Sequence, residues 1–483
     1  MVALGKVAIQ TIHDWVPDPG SVVSWHPSSA ALAKARKAPI SAVQPSYMQA
    51  QHLRGYCEHA ARGLDMSRLC IAAWDIPGRC DIRAMTYVIN AHLRRHDTYR
   101  SWFEYTDAEH TVRHTICDPA DIEFVPTQHG AMTPAEWRGH ILATPGPLQW
   151  DCFRFGLIQR TDHFTFCVTV DHLHIDAMFM GVVFTEIHAM YAALMADAPP
   201  IPLPDAGSYD DFCVRQRRCT SALTLESPQV RAWIEFFENN GGTLPDFPLP
   251  IGDRSVPCTG DLMTVQLMDA QQTERFESAC IAAGARLSGG VFACSALAEY
   301  ELTGAEIFYR LTPIDTRSSP AELWATGWFT AHIPITVPVV PTSFADTARA
   351  AQVSFDSRKE LAKVPFDRVL ELAPWLRRPQ AGFPMLSFLD AGLPPLSALV
   401  TSQLDGLNAS LYRDGRIPAQ AGMWVNRLQE GTLLTVVFPK NPVARESVTR
   451  YIVALKSVYV RVADGRDPVA ALRNGAQLQG QPA

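Results

Sequence analysis

His172 and Asp176 stand four residues apart in Asp171-His172-Leu173-His174-Ile175-Asp176, a spacing at which chemistry can be read. A neutral imidazole can take a proton from a hydroxyl near pH 7 and so turn it into a nucleophile. His174 offers a second imidazole, whose plainer reading is a structural histidine bonded to a neighbour. HxxxD alone is a short pattern, and a histidine at a strand end is ordinarily just a polar residue. No Gly-x-Ser-x-Gly elbow occurs, which argues against a hydrolase with a covalent serine intermediate. Only His332 lies beyond residue 188, so a histidine base must come from the first half.

The neighbouring residues show how His172 would be held. Phe164, Phe166, Val168 and Val170 alternate with Thr165, Cys167 and Thr169, which predicts a strand with one strongly apolar face. From Ala177 the period changes: Val182, Val183, Ile187, Met190, Tyr191 and Leu194 recur at helical spacing, with Asp176 at the N-cap position. A tight strand-to-helix turn can aim a histidine at a cavity.

The rest of the chain alternates strand and helix. Residues 1–45 read as an extended lead-in. Ser46 caps a helix running to about Arg62, Ser67–Trp74 is a strand, and Asp81 caps a helix that runs through Arg94–Glu104. In the second half, helices at Ala270–Ala283, Gly289–Leu302 and Phe344–Lys363 alternate with strands. A Pro/Gly loop follows Leu389, Asn441-Pro442 opens a final helix, and a polar tail begins at Ala463. The fold class is α/β of the α+β type, with one domain at 1–220, a linker region at 221–255 that holds a helix around Val230–Asn239 before a Pro/Gly-rich run, and a second domain at 256–483.

Composition narrows the function. A chain of 483 residues suggests two or three domains, and 47% hydrophobic with 19% charged residues describes a globular protein. A net charge of −7 argues against a nucleic-acid binder. Eleven cysteines without a CxxC pair read as reduced thiols, neither a disulfide framework nor a zinc site, and no metal is expected. The N-terminus lacks the pattern of a signal peptide. The uncharged run Leu323–Ala345 is broken by Pro334, Pro338 and Pro341, so no membrane span is expected and a cytoplasmic location is.

Six segments in order resemble the condensation-type acyltransferase superfamily, which includes chloramphenicol acetyltransferase. They are Ser46–Gln51, Arg95–Phe103, Asp171–Ala177, Tyr209–Arg217, Gly327–Val337 and Val364–Val369. Asp14-Trp15-Val16-Pro17, Ile89–Asp97 and Asn441–Ser447 look closest to the polyketide-synthase-associated acyltransferases that esterify trehalose in envelope glycolipids, and among them to members acting on trehalose 2-sulfate. Three positions depart from the wider pattern: Asp171 replaces a histidine that is not the family's base, Ala177 replaces a glycine, and Ala331 replaces an asparagine.

The resemblance implies two chloramphenicol-acetyltransferase-like subdomains, each a mixed sheet flanked by helices, arranged as a V with a tunnel at their interface. It implies His172 as general base, with Asp176 turned away to pair with Arg317; a surface arginine is the competing reading of Arg317. Trp328 and Thr330 fall near the implied substrate site, or simply pack in a sheet. Arg215, Arg217 and Arg218 could attract coenzyme A phosphates or an acceptor sulfate, although a solvated helix face is the commoner explanation. The implied reaction moves a long-chain acyl group, such as palmitoyl, from coenzyme A to trehalose or trehalose 2-sulfate. Acyl-coenzyme A is then a co-substrate and no cofactor is permanently bound. Alternatives are transfer of a polyketide chain to a preacylated trehalose, or a non-catalytic lipid-binding or scaffold member. A polyketide synthase, lipid export machinery and peripheral attachment at the inner face of the plasma membrane are implied in the same way.

Overall fold

A computed structural model describes residues 9–106, 111–253, 256–379, 385–390, 406–416, 421–428 and 430–466. The chain divides into two units. One comprises Met1–Ala222, Asp315–Thr330 and Leu393–Arg416, and the other Leu223–Ile314, Ala331–Gly392 and Ile417–Ala483.

The first unit is built on a seven-stranded mixed sheet. Its order is Ile9–Thr11, Ser410–Arg413, Leu69–Pro77, His163–Asp171, Phe153–Gln159, Ser21–Pro27 and Phe124–Ala131. Ile9–Thr11 runs parallel to Ser410–Arg413, and the other pairings are antiparallel. His163–Asp171 is the central strand, and both of its faces are covered: Cys167 and Thr169 are as buried as Phe166 and Val168. Alternation of apolar with small residues therefore marks a buried strand here, not a half-solvated one. Helix Tyr47–Ala61 carries a complete capping box, in which Ser46 accepts from the Gln49 amide while Gln49 reaches back to the Ser46 amide.

The second unit holds a four-stranded mixed sheet, Leu386–Asp390, Gly422–Leu428, Gly431–Pro439 and Gly260–Asp269, with its first pair parallel. Helix Leu287–Thr303 is apolar on nearly all sides and buried along most of its length, as expected of a helix packed from several directions. The final helix is Pro442–Ala463, with the Asn441 side chain accepting from the Ala444 amide. All eleven cysteines are free. Among the described residues no single helix is long and apolar enough to cross a membrane.

Several expectations need correction. The supposed linker at 221–255 contains helix Pro228–Asn239, whose Val230, Trp233, Phe236 and Phe237 lie in the core of the second unit. The helix expected around Val230–Asn239 is therefore present, and it packs into a core instead of crossing a linker. The 315–330 and 393–416 segments belong with the first unit, so the units interleave along the chain. Residues 29–36 form a helix capped by Ser28 within the supposed extended lead-in. The helix from Ile82 stops at Arg95, and Ser101–Tyr105 is a strand, because β-prone aromatics pair there with Thr111–Thr115. Within the stretch after Leu389 expected to be a Pro/Gly loop up to Met423, Ser410–Arg413 is a strand of the first unit's sheet, because Leu69–Pro77 offers it a partner. Residues 391–405, 417–420 and most of the polar tail, 467–483, lie outside the described residues.

Trp233→Ala should lower the unfolding free energy by about 3–5 kcal/mol, because it empties a fully buried ring site. Urea denaturation reads this directly, and a loss below about 1 kcal/mol would return the segment to the status of a linker.

Candidate active site

The central strand delivers its last residue, Asp171, into a fully buried position. A buried carboxylate must be paired. His52 Nε2 lies 2.7 Å from one oxygen and Arg68 Nη1 donates to the other at 2.9 Å. The Leu173 amide also donates to it, at 3.0 Å. Burial opposes ionisation, but His52 and Arg68 hold the carboxyl at about 2. Arg68 is itself anchored on the Pro145 and Thr144 carbonyls, and its own carbonyl accepts the His172 amide at 2.8 Å. His172 then begins a single 3-10 turn, His172–His174, and Gln49 Nε2 donates to the Leu173 carbonyl at 3.2 Å.

The His172 ring is half-buried, with Trp328 packed against it at a centroid distance of 4.3 Å. Its Nδ1 is buried and makes no full hydrogen bond. Burial, then the Arg413 guanidinium, push the imidazole down to about 3, so the ring is neutral at pH 7. His174 points elsewhere. It is fully buried, its Nδ1 lies 3.0 Å from Thr98 Oγ1, and its ring packs on Tyr99 and Phe153.

Asp176 faces away from the imidazole. Arg317 donates to it bidentately, Nη1 to Oδ2 at 2.8 Å and Nη2 to Oδ1 at 3.1 Å. The Phe329 and Met178 amides complete its shell at 2.9 and 3.0 Å. The Arg317 guanidinium also lies over the Phe329 ring. Asp176 is not the N-cap residue expected of it: the helix starts at Phe179, behind Met178, and widens to a π-helix over Phe184–Ala189. Of the expected stripe, Val182, Val183, Ile187 and Tyr191 are buried and Met190 is half-buried, while Leu194 at its end is exposed. Among the described non-glycine residues only Asp197 and Asn408 have positive φ, so Ala177 needs no glycine.

The other motifs brace this turn. Asp97 accepts from Ser208 Oγ and from the Tyr209 amide, tying the second motif to the fourth. Tyr209 Oη lies 2.9 Å from Ser46 Oγ and donates to the Trp328 carbonyl at 3.2 Å. A Cβ on Gly327 would sit 2.3 Å from the Tyr209 ring, which explains the glycine before Trp328. Behind them Glu186 accepts from His92, His96 and Arg95; burial opposes its ionisation, but the two imidazoles hold its carboxyl well below the usual range.

Not every candidate gathers here. Thr330 opens the next strand and joins none of these contacts. The three arginines do not form an anion cradle. Arg215 pairs with Glu322 at 2.8 Å, Arg217 is spent on the Pro45 carbonyl and the Tyr47 ring, and Arg218 points to solvent. His52, Arg68 and Arg413 escaped sequence reasoning. A carboxylate ending an apolar strand called for cations, but nothing in residue order said which.

Arg317→Met should destabilise the protein by about 3–5 kcal/mol by leaving Asp176 buried without its cation. Asp176→Asn in the same chain should recover part of the loss, a coupling that a double-mutant cycle measures. His172 and His174, at about 3 and about 4, titrate below the ordinary 6.5. Their contribution to stability is complete above pH 6.5 and is lost as pH falls toward 4 and below. The melting temperature should therefore drop between pH 6.5 and 4, with a shallower slope in His174→Gln.

The family model described as Condensation domain matches residues 70–379. Trehalose-2-sulfate acyltransferase PapA2 of Mycobacterium tuberculosis is 62% identical over 471 residues, covering 97% of this chain and 99% of its own. The same organism's 2'-acyl-2-O-sulfo-trehalose (hydroxy)phthioceranyltransferase PapA1 is 59% identical over 462 residues, covering 96% of this chain and 90% of its own. The solved structure named PapA2 acyl transferase superposes with a TM-score of 0.91 at 62% identity, covering 95% of this chain and all of that one. Mixed sheets flanked by helices, in two subdomains of the chloramphenicol-acetyltransferase type, are thus the observed fold class. By sequence and by fold, this chain belongs to the condensation-domain family, among its Pap acyltransferases.

Proposed function

We propose that this acyltransferase moves a long-chain acyl group from a coenzyme A thioester to a hydroxyl of trehalose or trehalose 2-sulfate. The observation that carries the mechanism is a neutral, half-buried His172 on a turn anchored at both ends by paired carboxylates. An imidazole nitrogen of His172 takes the sugar hydroxyl proton as the oxygen attacks the thioester carbonyl carbon. The tetrahedral intermediate collapses, the C–S bond breaks, and the proton passes from the imidazolium to the departing thiolate. Imidazole supplies the base, so the reaction requires no resident cofactor. Trp328, packed on the imidazole, bounds the space the substrates enter and fixes the ring plane. Asp176 and Arg317 position the turn without touching substrate.

The acceptor class is supported by the names of the relatives at 62% and 59% identity. The second of those names favours another reading, transfer of a polyketide-derived chain to an already acylated sulfotrehalose. A polyketide synthase would then supply the donor. In either reading the protein works in the cytoplasm, at the inner face of the membrane across which the glycolipid is exported.

Purified protein with palmitoyl-coenzyme A and either trehalose or trehalose 2-sulfate should release thiol and give a glycolipid of the ester's mass. His172→Ala should reduce that rate by about 10²–10⁴-fold. Equal rates in both proteins would remove His172 from the role of base, and a wild type active only with a polyketide donor would select the second reading. Because the His172 imidazole stays neutral down to about 3, kcat/KM should hold level as pH falls from 7 to 5. An acid limb centred near 6.5 would contradict the environment assigned to it.

A further inference from the structure

A second set of imidazoles lies at the edge of the seven-stranded sheet, two and three strands away from the one that ends at Asp171. His26 and Ser24 share one face of Ser21–Pro27, being two residues apart. On the edge strand, the register slips between Val22 opposite Gly130 and Val23 opposite Gln128. His129 is the extra residue of that bulge, a device that re-aims a side chain. Helix Pro134–Leu142, fixed by the Thr133 and Glu136 capping box, contributes His140. The ring centroids are 6.2 Å apart for His26 and His129, 5.8 Å for His26 and His140, and 5.0 Å for His129 and His140.

Two details at these nitrogens point to a ligand. Ser24 Oγ lies 2.6 Å from His26 Nε2 and 2.7 Å from His129 Nε2, so one hydroxyl spans two imidazoles. His140 Nε2 is buried with no hydrogen-bond partner. One ring nitrogen from each histidine lies within 4.8 Å of the other two. We propose that His26, His129 and His140 form a binding site for a zinc-class divalent transition metal.

Three imidazole donors suit Zn, Co, Ni and Cu, whereas Mg and Ca prefer oxygen shells. Tetrahedral zinc with Zn–N bonds near 2.0–2.1 Å needs nitrogens about 3.4 Å apart, which modest side-chain rotations supply from the present spacing. His129 is exposed, so a fourth position is open to water. The Ser24 hydroxyl then turns to support a ligand in place of bridging two rings. Arg154 is the nearby cation opposing the site, and its guanidinium is engaged by the His140 and Ala143 carbonyls. The other close set, His92, His96 and Glu186, is different in kind. There both imidazoles and Arg95 already donate to the carboxylate, and the Thr326 amide donates to His96 Nδ1.

Isothermal titration of tag-free protein with zinc chloride should find one site per chain. Cobalt substituted for zinc should give the visible absorption of a low-coordinate ion. His129→Ala and His140→Ala should each weaken binding by at least about tenfold, and zinc should raise the melting temperature of wild type but not of these variants. Variants that melt as wild type does without metal exclude misfolding as the cause. The proposal is overturned if wild type binds no zinc, if the triple variant His26→Ala/His129→Ala/His140→Ala binds it unchanged, or if only Glu186→Gln abolishes it.

Discussion

The bidentate pair between Asp176 and Arg317 is the contact on which the site depends. Asp176 sits four residues beyond His172, and Arg317 lies 141 residues further along the chain. The guanidinium and the Phe329 amide meet the same carboxylate, so the segment carrying Trp328 is drawn against the histidine turn. A buried pair of this kind adds little stability relative to an apolar substitute, because desolvation offsets the attraction. What it contributes is position. Two parallel hydrogen bonds set both the distance and the plane of approach, which a single ammonium would not do.

Asp171 does the equivalent work at the start of the turn. With His52 and Arg68 on its two oxygens, it turns the end of a central strand into a fixed point. The arrangement accounts for an aspartate where relatives of the wider superfamily carry histidine. It needs a buried acceptor for His52, Arg68 and the Leu173 amide, and an ionised carboxylate is that acceptor. His172 is held by its neighbours' side chains and by its own backbone, so its imidazole is left neutral and uncommitted. Around this centre the remaining motifs act as braces, with the Asp97, Ser46, Gln49 and Tyr209 bonds each joining two distant stretches of chain.

Much of this was legible in residue order. The strand–turn–histidine pattern, the Ser46 and Asp81 caps, the final helix after Asn441 and the pairing of Asp176 with Arg317 were all readable, the last through the family resemblance. Errors fell where tertiary context outweighs local signal. Trp233 and its neighbours belong to a core, although the flanking Pro and Gly suggested a linker. Ser101–Tyr105 became a strand because a partner was available. Thr165, Cys167 and Thr169 face a covered surface, which their polarity hid.

By itself, the sequence determined the period of most elements, the Ser46 and Asp81 caps, and the residue types able to carry acyl-transfer chemistry, because those depend on neighbours within a few positions. Only the tertiary structure decided which cations meet Asp171, that Trp328 and not Thr330 packs on His172, that Arg215 and Arg217 serve the fold, and that three histidines from two strands and a helix converge. Each of these is a matter of distance between residues tens to hundreds of positions apart. Such distances are set by how sheets and helices pack, and residue order does not carry them.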